Sequence, residues 1–156
     1  KIDVVDQTFF EKEIAPHIDG EQIQFLGEAN HEQKNALMGG AIATLFPIQW
    51  REPFGLVMIE SLACGTPVIA MAMGSAPEVI THGVTGFLCH SVAECVIAVS
   101  QLNQISRYAC RARVEEKYNF KRMTDDYEAI YQTILQKKQQ GNGRLQVPAI
   151  AMNATK

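Results

Sequence analysis

The chain has 156 residues, of which 47% are apolar and 20% are charged, and its formal net charge is −3. This length suits one domain with its own core, and the composition is typical of a globular protein rather than a disordered one. The negative charge argues against nucleic acid as a partner, because no basic field is present to attract phosphates. No apolar run reaches the roughly 20 residues of a transmembrane segment.

The cysteines indicate a reducing compartment. Cys64, Cys89, Cys95 and Cys110 form no Cys-x-x-Cys pair, and only Cys89 has a histidine beside it. The spacing therefore predicts neither a zinc site nor a disulfide framework. We read no secretory signal in the first residues and expect a cytoplasmic protein.

Predicted helices and strands alternate along the chain. In the first half we expect a helix over 6–14, a strand over 23–26, a helix over 31–38 capped by Asn30 and stopped by Gly39-Gly40, a strand over 41–46 and a helix over 55–64. In the second half we expect a strand over 67–71, a short helix from a Ser75–Glu78 capping box, a strand over 86–89, a helix from a Ser91–Glu94 capping box, and helices over 106–118 and 120–138. Residues 139–156 show no periodicity and are predicted to be a flexible tail.

This alternation predicts an α/β fold with a parallel sheet covered by helices. Residues 41–71 form one strand–helix–strand unit, with the loop Pro47–Pro53 between its first strand and its helix. Ligands of such sheets bind at the carboxyl ends of the strands. We therefore expect a ligand at this loop.

The segment after Glu52 reads as an anion site. Pro53 suits the first turn of a helix, and the backbone amides of Phe54, Gly55 and Leu56 would then be free to hold a phosphate. Glu52 stands at the rim of this site. Taken alone, Glu52 fits equally well as an acidic residue that favours a helix N-terminus.

Glu60 stands in a helix whose other residues are almost all apolar. Burying an unpaired carboxylate costs several kcal/mol, so Glu60 needs partners. A ribose diol of a ligand would donate hydrogen bonds to it. A structural arginine, or solvent reached along a narrow polar stripe, would explain it as well.

A basic stretch follows in the last third of the chain. The default interpretation is a solvated face, and the more specific alternative is a surface that binds anionic lipid. Its residues are Arg107, Arg111, Arg113, Lys117, Lys121 and Arg122.

The segments "EPFGLVMIESLACGTPVIA" and "GSAPEVITHGVTGFL" together resemble the C-terminal, donor-binding half of retaining glycosyltransferases with the GT-B fold, in the glycogen-synthase-like group. The family's signature has two glutamates separated by seven residues, a small-residue turn, a "PVIA" strand, then G-(G/S)-x-P-E and G-x-T-G. All of these occur here in order, and the resemblance covers roughly residues 1–135. It implies a Rossmann-like parallel sheet and a partial donor-binding domain over 1–138.

The resemblance also implies roles for individual residues. Glu52 matches the glutamate that contacts the donor sugar near the reacting carbon, and Glu60 matches the one that binds the ribose hydroxyls. The amides of Phe54, Gly55 and Leu56 match those that hold the diphosphate. The loop Gly27, Glu28, Ala29 and Asn30 matches the region that frames the base. Gly74 and Ser75 match a turn that packs beside the donor.

The implied reaction moves a sugar from a nucleotide diphosphate donor to an acceptor hydroxyl, with retention of the anomeric configuration. Dipoles and cations stabilise the departing diphosphate, and the scheme needs no metal and no cofactor. A GT-B phosphorylase, a nucleotide-sugar epimerase and a non-catalytic nucleotide-binding module are the alternatives.

The sequence departs from the family at its start. Nothing in residues 1–10 matches the strand and loop that supply an arginine and a lysine to the diphosphate, and the acceptor-binding domain is not in this sequence. We therefore expect the chain to be a piece of a longer protein and to be inactive by itself.

Overall fold

The computed structural model describes residues 2–139, which divide into two compact units after Leu37. The predicted tail lies outside the described residues, except that Gln139 ends the final helix. The expected helix over 6–14 is present but irregular: a short helix α1 (Gln7–Phe9) continues as a π-helix (Phe10–Ile14) and a 3-10 turn (Ala15–His17).

The strand predicted over 23–26 is wrong. The Asp19 carboxylate accepts hydrogen bonds from the backbone N–H groups of Glu21, Gln22 and Ile23 at 2.8, 2.8 and 2.9 Å. These bonds hold the pKa of the Asp19 carboxyl below its usual range. Because the Ile23 N–H and C=O are both engaged within this loop, neither pairs with a strand.

Helix α2 (His31–Gly40) begins at the predicted cap. The Asn30 Oδ1 accepts from the Gln33 N–H at 2.9 Å, and the Gln33 side-chain oxygen accepts from the Asn30 N–H at 3.0 Å. This reciprocal pair satisfies two donors at the start of the helix. The helix includes Gly39 and Gly40, so its end was placed two residues too early.

The second unit contains a parallel sheet in the order β1-β2-β3, which confirms the α/β class with flanking helices. Its strands are β1 (Thr44–Phe46), β2 (Val68–Met71) and β3 (Gly86–Cys89). Its later helices are α3 (Leu56–Ala63), α4 (Ala76–Val79), α5 (Val92–Ser100), a 3-10 turn (Leu102–Gln104), α6 (Arg107–Lys117) and α7 (Phe120–Gln139).

The core lies between the central strand and the inner face of α3. Val68 and Ala70 of β2 and Met58 and Leu62 of α3 are all 0% exposed. A central parallel strand is covered on both faces, which explains its continuous apolar sequence. This packing fixes where β1 and β2 end and therefore where the loops after them lie.

Three arginines of the basic stretch bind backbone carbonyls, and Arg113 is the one that donates to the carbonyl of Glu78, at 2.9 Å. The Arg107 guanidinium donates to the carbonyls of Gly39 at 2.7 Å and Ala41 at 2.8 Å, and Arg111 donates to that of Ala63 at 3.1 Å. Carbonyls at the ends of helices lack partners within the helix, so cations there stabilise them. The interpretation as a solvated face missed these bonds.

Among residues 2–139, no helix is both long enough and apolar enough to cross a membrane.

Candidate functional site

The candidate site lies at the carboxyl ends of β1 and β2. The loop 47–55 follows β1 and leads into α3, and the segment 72–75 follows β2 and leads into α4. Because β1 and β2 are parallel neighbours, the loops after them meet at the same edge of the sheet. The predicted ligand edge is therefore the edge at which Glu52 stands.

Ser75 ties these two loops together. Its N–H donates to the Glu52 carbonyl at 2.9 Å, and its hydroxyl donates to the Phe54 carbonyl at 2.9 Å. The capping box predicted at Ser75–Glu78 is wrong, since the Ser75 side chain makes no capping bond to α4. The hydroxyl bonds to the neighbouring loop instead.

The capping serine predicted at Ser91 is confirmed, because its Oγ accepts from the Glu94 N–H at 3.2 Å.

Gly74 allows the two loops to approach closely. It has φ +56°, and a Cβ built on it would lie 2.6 Å from the Glu52 backbone nitrogen and still nearer to the Glu52 carbonyl oxygen. Contacts this short do not occur in proteins, so any side chain here would push the loops apart. Gly74 and Ser75 thus stand beside the Glu52 backbone, and their place beside the donor stays a prediction.

The Glu52 carboxylate is held by two N–H donors. Its Oε1 accepts from the Gly55 N–H at 3.2 Å, and its Oε2 accepts from the indole N–H of Trp50 at 3.2 Å. Glu52 is half-buried, whereas the Trp50 side chain is 62% exposed. Nothing in the residue pattern assigns Trp50 a role, although its position two residues before Glu52 in a turn places it within reach.

Helix α3 begins later than predicted. Gly55 is its N-cap with φ +71°, and Leu56 is its first residue. Pro53 lies in the loop, so its placement in the first helical turn is wrong: the left-handed conformation of Gly55 separates it from the helix. The Gly55 amide donates to Glu52, while the Leu56 amide stands in the first turn, where N–H groups have no acceptor within the helix.

Glu60 lies on the outer side of α3. It is half-buried and stands one turn after Leu56, which is 63% exposed, so both lie on one face of the helix. The buried residues of α3 are Met58, Ile59, Ser61 and Leu62. Glu60 is therefore half-buried rather than fully buried, on a narrow, partly open stripe, which is one of the alternatives the sequence left open.

The residues expected to frame a base belong to the first unit. Gly27 has φ +67°, and Glu28 and Ala29 are exposed and precede the Asn30 cap of α2. Ala29 lines a cavity of about 420 Å³ together with Leu26, Gln33, Ala36 and Leu37. This cavity is mostly apolar, with one amide side chain at its wall.

The four cysteines are free thiols. Burial raises the pKa of the Cys110 thiol to about 11 and also raises that of Cys89, which lies beside Cys95. Both groups are protonated at neutral pH. In the described part of the chain, no three His, Cys, Asp or Glu side chains are grouped as a metal site.

Comparison with known proteins assigns the family. Residues 4–106 match the family described as "Glycosyl transferases group 1", and the chain belongs to it. The match includes the sheet, the loop that carries Glu52 and the turn at Gly74 and Ser75. The Rossmann-like α/β unit is accordingly that of the C-terminal half of a GT-B glycosyltransferase. The phosphorylase, the epimerase and the non-catalytic module are not favoured.

The relatives that the chain matches are named for different activities. The chain is 32% identical over 133 residues to the N-acetyl-alpha-D-glucosaminyl L-malate synthase of Bacillus anthracis, covering 80% of this chain and 34% of that protein. It is 34% identical over 114 residues to a glycogen synthase of Mycobacterium tuberculosis, covering 71% of this chain and 26% of that protein. It is 48% identical over 59 residues to a D-inositol 3-phosphate glycosyltransferase of Mycobacterium leprae, covering 36% of this chain and 14% of that protein. The chain thus spans about a third or less of the length of these relatives.

Proposed function

We propose that this chain is the donor-binding portion of a retaining glycosyltransferase, which moves a sugar from a nucleotide diphosphate sugar to an acceptor hydroxyl. The observation that carries the proposal is the arrangement at one sheet edge, in a chain of this family. There a helix N-terminus, the Glu52 carboxylate and the turn at Gly74 and Ser75 converge. A helix N-terminus favours an anion such as a diphosphate, and parallel sheets bind ligands at this edge.

In this scheme the start of α3 stabilises the departing diphosphate. The amides of Phe54, Gly55 and Leu56 are its candidate donors, and the dipole of α3 adds a favourable field. Such preorganised donors lower the barrier because they are already oriented when negative charge develops on the leaving group. The basic residues that complete the charge balance belong to other parts of the protein.

The two glutamates have different parts in the scheme. Glu60 accepts hydrogen bonds from the ribose hydroxyls, which its position on the open stripe of α3 supports. Glu52 faces the donor sugar and stabilises positive charge that develops on the ring. The loop Gly27, Glu28 and Ala29 frames the base.

The reaction uses no metal and no cofactor beyond the nucleotide-sugar substrate. The remainder of the same protein binds the acceptor, whose identity is open because the relatives' names include malate, inositol phosphate and glycogen as different molecules. We also propose a cytoplasmic location, which the four free thiols support.

Activity is tested on the full-length protein that contains this chain. It is incubated with UDP-, GDP- and ADP-sugars, and the anomeric proton of the product is followed by NMR. We expect one donor to be consumed, a product with the donor's anomeric configuration, and loss of transfer in Glu52→Gln without loss of nucleotide binding. Inversion of configuration would contradict the retaining mechanism, and full activity of Glu52→Gln would contradict the role of Glu52.

A further inference from the structure

All four polar groups of Glu52 have partners. Its backbone N–H donates to the Trp50 carbonyl at 3.0 Å, and its carbonyl accepts from the Ser75 N–H at 2.9 Å. Its two carboxylate oxygens accept from the Gly55 N–H and the Trp50 indole N–H, each at 3.2 Å. The backbone is thereby fixed on both sides, so the carboxylate can move only by rotation of its side chain.

The carboxylate bonded to the Gly55 N–H occupies a position that the donor also needs. Gly55 caps α3, and its amide is one of the groups expected to hold the diphosphate. A single N–H group carries one hydrogen, and two anions that shared it would be in contact and would repel each other. A diphosphate that binds to the Gly55 amide must therefore displace the Glu52 Oε1.

The Trp50 indole is the second anchor of the same carboxylate. An indole N–H can only donate, so it has no competing use as an acceptor. Trp50 and Glu52 are joined by a main-chain bond as well as a side-chain bond, which keeps the ring within reach when the carboxylate rotates. We therefore expect the bond to Trp50 to persist, with altered geometry, when the bond to Gly55 is lost.

We propose that the Glu52 carboxylate is an internal anion that exchanges with the donor diphosphate at the Gly55 amide, and that Trp50 is the positioning residue that keeps Glu52 in the site during this exchange. The inference rests on the proposed function, because it needs a diphosphate ligand. It assigns Trp50 no contact with the substrate.

Trp50 is the chain's only tryptophan, so a ¹⁵N-labelled sample gives a single indole N–H signal. In the free chain, we expect Glu52→Ala to move this signal, because the indole loses a charged acceptor. Glu128→Ala, which removes an exposed glutamate of α7, is the matched control and leaves the signal in place. An indole signal that is unchanged in Glu52→Ala overturns the role of Trp50, whether or not nucleotides bind.

The exchange is tested with UDP and with inorganic diphosphate. In the original chain, UDP moves both the Gly55 amide signal and the indole signal. In Glu52→Ala, UDP still moves Gly55 but no longer moves the indole, and diphosphate binds about tenfold more tightly because its competitor is gone. If UDP moves the indole equally in both chains, Trp50 contacts the nucleotide itself and the positioning role is wrong.

The failure of the two proposals can be told apart. If no nucleotide moves Gly55 in the original chain, both the proposed function and the exchange are overturned. If UDP moves Gly55 but diphosphate binds no more tightly to Glu52→Ala, the exchange alone is overturned and the donor site remains.

Discussion

Gly74 lies directly against the backbone of Glu52, at a distance that leaves no room for a side chain. The Ser75 amide that follows it donates to the Glu52 carbonyl. The turn after β2 therefore fixes the position of the loop after β1. In this way a glycine more than twenty residues away determines where the candidate catalytic carboxylate stands.

We predict that Gly74→Ala destabilises the fold and displaces the Glu52 loop. A left-handed conformation costs a non-glycine residue about 1–2 kcal/mol, and the overlap with Glu52 adds about 1–3 kcal/mol. Gly83→Ala is a matched control, since Gly83 has φ +74° and no neighbouring atom within 4 Å of a built Cβ. Urea unfolding of both variants separates the steric contact from the conformational cost, and equal losses of stability would mean that the contact with Glu52 is unimportant.

Glu60→Ala is expected to weaken nucleotide binding by about 1–3 kcal/mol, the range for a lost hydrogen-bond partner that carries a charge. Isothermal titration with the nucleoside diphosphate that binds measures this change, and plain diphosphate should be bound equally by both chains. Glu128→Ala serves as the control for removal of a glutamate elsewhere. Unchanged nucleotide affinity in Glu60→Ala would show that Glu60 does not contact the ribose.

Arg107→Lys is expected to destabilise the second unit by about 1–2 kcal/mol, because a lysine cannot bridge several acceptors as the planar guanidinium does. Arg107 donates to Gly39, Ala41 and the Thr66 hydroxyl. Arg122→Lys is the control, since Arg122 makes an exposed pair with Asp126, and pairs of this kind contribute about 0.3–0.5 kcal/mol. Chemical unfolding of the two variants should rank Arg107→Lys as clearly less stable, and the reverse order would be inconsistent with the role of Arg107.

The buried thiol of Cys110 predicts a loss of stability at alkaline pH. Burial raises its pKa to about 11 from an ordinary value of 9.0, so the unfolded chain releases this proton first as pH rises. The contribution of Cys110 is fully present below pH 9 and is lost progressively between pH 9 and about 11. We expect the difference in unfolding free energy between the original chain and Cys110→Ala to shrink over this range. A difference that stays constant from pH 8 to pH 11 would contradict the raised pKa.

The sequence was sufficient to predict the sheet, because its three strands are apolar runs bounded by glycine or proline. Local hydrogen bonding decided the positions where prediction failed. Ile23 lies in an apolar run that reads as a strand, but the Asp19 carboxylate engages its N–H in a loop. Ser75 matches a capping box by spacing, but its hydroxyl has a better placed acceptor on another loop.

The candidate site was predictable only in part. Glu52 and Glu60 stand out because a carboxylate within an apolar segment needs an explanation, and family resemblance supplied one. That Trp50 and Gly55 both bind the Glu52 carboxylate depends on the loop conformation, which no residue pattern specifies. The arginines that bind helix ends come from a distant helix, so only the fold brings them to their acceptors.

A titration of the chain with UDP, GDP and ADP, each beside plain diphosphate and followed by NMR, tests the central claim most directly. A donor site predicts shifts at Gly55, Glu60 and Gly27 with one nucleotide, whereas diphosphate moves Gly55 but neither Glu60 nor Gly27. That pattern would identify the base and place the diphosphate at the start of α3. Shifts with none of the three nucleotides would contradict donor binding by this chain.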